Sequence, residues 1–275
     1  MVYVFTRNED RLYRKAVYYK VVTLEGSINI AYAMAIKSFF LSLLLLPIEL
    51  LSQTDRKTVV LTFDDAPQSH YSFVAPILKQ YGFGATFYVC EFPGVYPDSS
   101  ISLNWRQVGA LYKMGFEIGN HTWHHKHVPG LKEDAFVKEL AYIEHKGDSL
   151  GIPKMTSFCY PAYVTDTLAV RVLKQRGYTN ARTGNDRPYD PKKDDPFYIP
   201  SYTISKANKD LFYKALQDAK DGQAVVFCFH GVPDNPHPWV STEPDTFREY
   251  MQYLHDHHYR VIAMRDLNFA NSHAN

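Results

Sequence analysis

Residues 59–67 read Val-Val-Leu-Thr-Phe-Asp-Asp-Ala-Pro, an apolar run of strand length that leads directly into two adjacent carboxylates. Successive side chains of a strand point to opposite sides, so Asp64 and Asp65 can do different work if the chain turns there. Pro67 is expected to end the strand because it has no N–H to donate to a ladder. A solvated turn can have the same composition, and this motif alone leaves that alternative open.

Further apolar runs of strand length follow, and segments of helical periodicity lie between most of them. The predicted strands are 58–63, 85–90, 116–119, 157–160, 178–181, 224–229 and 260–264. The predicted helices are 73–81, 105–114, 132–150, 167–176, 209–220 and 246–257. Strands that alternate with helices form parallel βαβ units, and their number predicts one barrel-like α/β domain. The Asp-, Pro- and Tyr-rich stretch 183–205 is predicted to be an insertion or an active-site loop.

Charge and cysteine content exclude several classes of protein. The 275 residues include 30 Lys+Arg and 29 Asp+Glu, so the net charge of +1 gives no basic surface for nucleic acid. Three cysteines exclude a disulfide-stapled miniature and a Cys-rich zinc module. Because Cys90, Cys159 and Cys228 all lie in apolar runs, we expect buried thiols that behave as small hydrophobic groups.

The segment 34–52 has the layout of a signal peptide, with Lys37, then an apolar run over 39–48, then polar residues from Ser52. The run is shorter than the ~20 residues that span a bilayer, so no stable membrane span is expected. An uncleaved N-terminal anchor or a buried helix is the alternative. We therefore predict an exported domain, periplasmic or secreted, at 53–275. Since signals begin at the true N-terminus and Met34 is a natural start, residues 1–33 are interpreted as an over-extended N-terminus.

Two histidine motifs follow later strands. His121 and His125 come directly after the strand predicted at 116–119, and one helical turn would place both imidazoles on one face, as suits a single divalent ion. His124 and His127 are interpreted as surface residues. A third motif is the apolar strand 224–229 that ends in His230. The carboxyl ends of parallel strands in a barrel form one rim, so we expect these histidines to meet the two aspartates there.

In this order, the motifs resemble those of the polysaccharide deacetylase family, the NodB-homology fold of carbohydrate esterase family 4. The matching segments are Thr62–Asp65, His121–His125 and the strand that ends in His230, and the resemblance covers about residues 57–266. It implies a distorted (β/α) barrel of about seven parallel strands. It also implies a metal-dependent hydrolase that removes N- or O-linked acetyl groups from an acetylated carbohydrate or polysaccharide.

The resemblance also implies a role for each matching residue. Asp65, His121 and His125 would bind the metal, usually zinc, with cobalt or nickel as alternatives. Asp64 would be the general base for a metal-bound water that attacks the acetyl carbonyl, and His230 would be the general acid. The metal and the backbone after Tyr160 and Pro161 would hold the oxyanion.

The sequence departs from the family pattern in three places. Ala66 stands where the family often has Gly, and Cys159 stands where it usually has an Arg that orients the base. Arg182, after the next strand, is a candidate replacement. The Asp that normally tunes the catalytic His has no clear counterpart, and Asp186 and Asp190 are the candidates.

A weaker prediction concerns substrate contacts, which we assign to Tyr160, Pro161, Tyr163, Arg182 and Trp239, with Tyr189 and Tyr202 as further members of an aromatic rim. Two other functions stay open. One is a small-molecule amidohydrolase that acts on a non-peptide C–N bond, and the other is a glycan-binding module with a decayed site. The glycan, the preference for N- or O-acetyl groups, the metal in vivo and the oligomeric state are not defined by the sequence.

Overall fold

The computed structural model describes residues 57–267, so the predicted signal peptide at 34–52 and the segment 1–33 lie outside the described residues. Eight parallel strands run through the described part: β1 Thr58–Phe63, β2 Thr86–Val89, β3 Glu117–Asn120, β4 Ser157–Cys159, β5 Asn180–Asn185, β6 Ile199–Thr203, β7 Ala224–Phe229 and β8 Arg260–Ile262. The α-helices are α1 Ala75–Tyr81, α2 Trp105–Lys113, α3 Glu133–Ser149, α4 Thr167–Arg176, α5 Lys209–Asp218 and α6 Pro244–Asp256.

Seven of the strands close into a ring. Their order is β2-β3-β4-β5-β6-β7-β1, and β1 pairs again with β2. One edge of β1 is shared, because its first half pairs with β8 and its last two residues, Thr62 and Phe63, pair with β2. The predicted (β/α) barrel of about seven parallel strands is therefore confirmed.

The prediction that 183–205 is an insertion or a loop is wrong, because this stretch includes strand β6. This stretch contains the end of β5 and all of β6. Pro200 is unusual in a strand that is paired on both edges, since proline removes one ladder hydrogen bond. The pairing of β5 with β6 shifts register between Arg182 and Asn185, and the strand accommodates Pro200 at that irregularity.

Alternate side chains of β1 and β7 pack in two different places. Leu61, Phe63 and Phe229 belong to the main core, where the Phe63 ring lies 5.0 Å from the ring of Phe87 and 5.6 Å from that of Phe229. The intervening residue Val60 lies in a second apolar cluster. Side chains two residues apart along a strand lie on the same face, so Asp64 shares the face of Val60, which is opposite to that of the main core. The Asp64 side chain therefore points into the barrel at the carboxyl end of β1.

The interior of the barrel is narrow where β2 and β3 meet. A Cβ atom on Gly119 would lie 2.4 Å from the Tyr88 ring, so only glycine lets this tyrosine fill the space. The helices pack outside the ring, and two of them begin at side-chain caps: the Asn104 side chain accepts a hydrogen bond from Gln107 N, and that of Asp166 accepts one from Ala169 N.

The three cysteines lie inside the fold. Cys90, Cys159 and Cys228 are buried and free, as predicted. Within residues 57–267, no helix combines the length and the apolar character needed to cross a membrane. The longest of these helices, α3, has 17 residues and carries charged side chains along its length.

Candidate active site

The two aspartates that follow β1 face different groups, as the alternation predicted. Asp64 is buried and points toward Arg182 inside the barrel. Asp65 and Ala66 have φ values of 69° and 55°, in the left-handed region, and this turn directs the Asp65 carboxylate toward three histidines. A left-handed residue with a side chain costs about 1–2 kcal/mol, so the turn needs its surroundings to hold it.

His121 and His125 meet in a loop, so the prediction of a helical turn is wrong. Thr122 and His125 have φ values of 63° and 52°, and these left-handed residues fold the loop back on itself. The two imidazole rings lie 4.8 Å apart and nearly perpendicular. The Nδ1–H of His121 donates to the carbonyl of Cys159 over 2.8 Å, which leaves Nε2 facing Asp65.

Asp65, His121 and His125 form a group with the donor set of a divalent metal. The Nε2 atoms of both histidines lie 3.3 Å from Asp65 Oδ1, and the three ligand atoms lie within 4.8 Å of one another. Asp65 Oδ1 is buried and accepts no hydrogen bond. Two imidazole nitrogens and one carboxylate oxygen are a donor set that fits zinc or a similar ion.

Two neighbouring groups also bring potential ligands together, but both include Asp64. One adds Cys228 and His230, and the other adds His121 and Cys159. Arg182 already neutralises Asp64, and a second cation beside that guanidinium would be repelled. The group centred on Asp65 is therefore the best candidate metal centre.

The protonation states of His125 and Asp65 suit metal binding. Burial lowers the pKa of His125 to about 4, and the nearby His121 acts in the same direction, so His125 is neutral at neutral pH. Burial opposes ionisation of Asp65, but the nearby His121 and His230 outweigh it and lower the pKa of that carboxyl. A neutral imidazole and an ionised carboxylate are the forms that ligate metals.

Arg182 and Asp64 form a fully buried ion pair. The Nη2 group of Arg182 donates to Asp64 Oδ2, and Nη1 donates to Ser201 Oγ over 2.7 Å. Burial opposes ionisation of Asp64, yet the guanidinium outweighs this penalty and lowers the pKa of the carboxyl. Arg182 thus contacts the carboxylate for which the resemblance implies an orienting Arg, and its fully buried side chain offers no surface to a substrate.

Two thiols complete the contacts of Asp64. The Sγ atoms of Cys159 and Cys228 lie 3.5 Å and 3.3 Å from Asp64 Oδ2. Burial raises the pKa of both thiols, so they remain protonated and donate to the carboxylate. The sequence indicated only small hydrophobic groups here, because nothing along the chain shows that two distant cysteines reach one aspartate.

His230 lies beside Asp65 at the end of β7, with its Nε2 3.7 Å from Asp65 Oδ2. Its Nδ1 is buried without a hydrogen-bond partner. The hydrogen bonds of the two predicted tuning residues lead elsewhere: Asp186 accepts from Thr203 N and Asp190 from Lys192 N. The buried His70, which sequence reasoning missed, instead donates from Nε2 to the carbonyl of His230 over 3.0 Å.

The residues predicted to contact substrate lie at different depths. Tyr160 and Pro161 are buried, and the Tyr160 N–H donates to the carbonyl of Arg182 over 3.2 Å, so it is already paired. Tyr163 is half-buried, and its hydroxyl accepts from Thr203 Oγ1. Tyr189 and Tyr202 lie in the core instead of in a rim.

Trp239 is the most exposed of these residues, with 68% of its surface accessible. A series of rings connects it to the candidate metal centre: Trp239 lies 5.5 Å from His237, which lies 4.9 Å from Phe92, which lies 4.8 Å from His125. Sequence reasoning missed Phe92 and His237, since both become visible only when the loops are folded together.

The described residues also form an open groove, and none of the predicted site residues lines it. It lies between the segment that follows Ala66 and the one that follows Gly231, and many of its lining groups are hydroxyls and amides, contributed by Gln68, Ser69, Ser72, Ser100 and Asn235. Such a lining can exchange hydrogen bonds with a polar ligand such as a sugar.

Comparisons with known proteins agree with the motifs. Residues 52–181 match the family model described as polysaccharide deacetylase. A chitin deacetylase from a Pestalotiopsis species is 28% identical over 124 residues, which is 44% of this chain and 39% of that protein. The chain spans less than half the length of the curated relatives it matches.

Solved structures share the fold at low identity. Bacillus subtilis PdaA, a family 4 carbohydrate esterase, has a TM-score of 0.53 at 19% identity, covering 78% of this chain and 81% of that one. A family 4 pseudoenzyme from Bacillus anthracis has a TM-score of 0.53 at 17% identity, covering 78% and 66%. These matches confirm the resemblance indicated by the motifs: residues 52–181 are similar to the polysaccharide deacetylase family.

Proposed function

We propose that this protein is a metal-dependent hydrolase that removes acetyl groups from a carbohydrate. The observation that carries the proposal is the convergence of Asp65, His121 and His125 beside an ionised Asp64 at one rim of the barrel. A divalent cation held by these three residues would polarise the acyl carbonyl and make a water molecule more acidic.

The remaining residues supply the proton transfers. Asp64 takes a proton from the water that attacks the acetyl carbon, and Arg182 keeps this carboxylate ionised and fixed. The C–N or C–O bond to the sugar then breaks. His230, whose Nε2 lies beside Asp65 Oδ2, gives a proton to the leaving amine or alkoxide. The products are acetate and a free amino or hydroxyl group on the sugar.

A carbohydrate substrate is supported by the surroundings of the site. The exposed Trp239 offers a ring face on which a sugar can stack, and the groove between the segments that follow Ala66 and Gly231 offers hydroxyl and amide groups. Chitin deacetylase, a relative of this chain by sequence, is named for an N-acetylated glycan. We propose that this chain also acts on an acetylated glycan, with Trp239 and Tyr163 as substrate contacts.

We also propose that the catalytic domain at 53–275 works outside the cytoplasm. The support is the signal-like segment at 34–52, together with a substrate class that occurs in cell envelopes and extracellular material. N-terminal sequencing of the native protein tests this proposal, since a mature chain that begins before Met34 would contradict both the cleavage and the over-extended N-terminus.

Acetate release from a panel of glycans tests the proposed reaction. The panel contains chitin oligomers, peptidoglycan and acetylxylan, each incubated with the purified protein with and without a chelator. We expect release from one class, abolished by the chelator and restored by added zinc. Release that persists after the metal has been removed would contradict the metal-dependent mechanism.

A non-catalytic glycan-binding module is the second candidate, and the fold shared with a pseudoenzyme favours keeping it. Arg182 argues against a decayed site, because it supplies the guanidinium that Cys159 does not. Glycan binding without acetate release, unaffected by changes at Asp64, would support the binding module. Release of acetate from a small N-acetylated molecule alone would instead indicate an amidohydrolase.

His125→Ala is expected to remove the metal, because it leaves only two ligands in the candidate centre. Metal analysis of the purified variant should give an occupancy far below that of the wild type. His127→Ala is the matched control, since His127 is exposed on the same segment and outside the group. Full occupancy in His125→Ala would remove this residue from the ligand set.

A further inference from the structure

We infer that Glu91 is a positioning residue for the metal-binding loop, defined as residues 121–125. Three donors converge on its carboxylate. Trp105 Nε1 and Tyr142 Oη donate to Oε1 over 2.9 Å and 2.8 Å, and Trp123 Nε1, within the loop, donates to Oε2 over 2.8 Å. The carboxylate therefore connects the loop to helices α2 and α3.

Trp123 is held by Glu91 through both its backbone and its side chain. The N–H of Glu91 donates to the carbonyl of Trp123 over 2.8 Å, in addition to the indole bond. The indole ring stacks at 3.9 Å on Tyr142 and lies 3.9 Å from the His124 ring. Because Trp123 lies midway between His121 and His125, fixing it fixes the separation of the two candidate ligands.

The loop needs such support because its backbone is strained. Thr122 and His125 are left-handed, and residues of this kind cost about 1–3 kcal/mol each and persist only where the surroundings impose them. Glu139 holds the next residue, accepting from His124 N over 2.8 Å and from its Nδ1 over 3.0 Å. Glu91, just after β2, and Glu139, in α3, thus anchor adjacent residues of the loop.

The charge of Glu91 strengthens these bonds. Burial opposes its ionisation, but the hydrogen bonds from Trp105, Trp123 and Tyr142 outweigh this and lower the pKa of the carboxyl. Lys146 adds a positive charge nearby, with its Nζ 5.4 Å from the centre of the Tyr142 ring. Hydrogen bonds to an ionised acceptor are about twice as strong as those between neutral groups.

Glu91→Gln tests the inference, which rests on the proposed metal site. Glutamine keeps one acceptor oxygen but turns an NH₂ group toward donors, so the loop loses part of its anchor. We expect the zinc dissociation constant, measured by competition with a chromophoric chelator, to rise about 10–100-fold. Glu133→Gln is the matched control, since Glu133 is paired only with the exposed Arg171 on the surface, and its zinc affinity should equal that of the wild type.

Amide and indole NMR spectra of the metal-free protein give a second readout. In Glu91→Gln, the signals of residues 121–125 and of the Trp123 indole should shift, while the Trp239 indole stays in place. Unshifted loop signals, or a lowered melting temperature with zinc affinity unchanged, would overturn the positioning role. If Glu91→Gln fails to fold, zinc affinity and the same NMR signals are measured for Glu91→Asp, with the same expected changes. A wild type that binds no zinc would refute the proposed function, and the spectra would still report on the loop.

Discussion

Replacing Asp64 with asparagine should leave the metal in place and lower turnover about 10²–10⁴-fold, because it removes the general base and none of the three candidate ligands. Asparagine has nearly the same shape as aspartate and keeps an oxygen that can accept the hydrogen bond from Arg182. The three candidate ligands do not include Asp64, so metal occupancy should equal that of the wild type. Acetate release and metal content, measured on one preparation, check both halves of this expectation.

Asp65→Asn is the matched control for this experiment. It changes the neighbouring carboxylate in the same way, but it should lower metal occupancy together with activity, because Asp65 faces both histidines. A variant Asp64→Asn with activity close to that of the wild type would refute the base assignment. Metal loss in Asp64→Asn would instead place this residue among the ligands.

Replacing Arg182 with methionine should destabilise the fold by about 3–5 kcal/mol, because it leaves the Asp64 carboxylate buried without its cation. Denaturant unfolding of both proteins at neutral pH measures this difference. The double variant Arg182→Met/Asp64→Asn should recover much of the loss, since it removes the unpaired charge as well. A loss in the single variant that the second change does not reduce would show that Arg182 acts through packing instead of through the ion pair.

Placing a guanidinium at position 159 of β4, where the family usually has Arg, tests whether Arg182 also orients the base. Cys159 Sγ lies 2.7 Å from Arg182 Nη2 and 3.5 Å from Asp64 Oδ2, so a side chain built from position 159 starts beside the carboxylate. In the Arg182→Met background, Cys159→Arg should raise acetate release at least tenfold above that of Arg182→Met alone. Cys159→Met in that background is the control of similar shape, and equal activities in the two would exclude a role for the charge.

The residues that form the candidate centre could be predicted from the sequence because each follows an apolar strand. In parallel strands, the carboxyl ends share one rim, so Asp65, His121 and His230 had to meet there once the βα order was recognised. The order of motifs therefore carried more information than any one of them.

The local conformation of the histidine motif was not predictable in the same way. A spacing of four residues suits a helix, whereas here two left-handed residues, Thr122 and His125, bring the rings together. The contacts that impose this conformation come from Glu91 and Glu139, which are distant along the chain. Long-range hydrogen bonds override local spacing, and the sequence shows no periodicity that would reveal them.

Strand β6 and the partner of Arg182 were also difficult to predict, because both depend on contacts between distant segments. Strand β6 is short and contains Pro200, so its composition is that of a loop, and only its pairing with β5 and β7 defines it. Arg182 follows a predicted strand, and the sequence offered it only as a candidate replacement for the Arg that orients Asp64. Its contact with Asp64, more than a hundred residues away, is defined only by the fold.

Strand β1 takes its neighbours from both ends of the domain, and this determines when the site can form during synthesis. Thr58 pairs with Ala224 of β7 on one edge and with Arg260 of β8 on the other. A nascent chain that has not yet released β7 from the ribosome therefore holds Asp64 and Asp65 on a strand without these partners. Pairings between such distant segments form slowly, because loop closure precedes any gain from contacts. The candidate metal centre, although most of its residues are made early, is thus completed only when the last strands arrive.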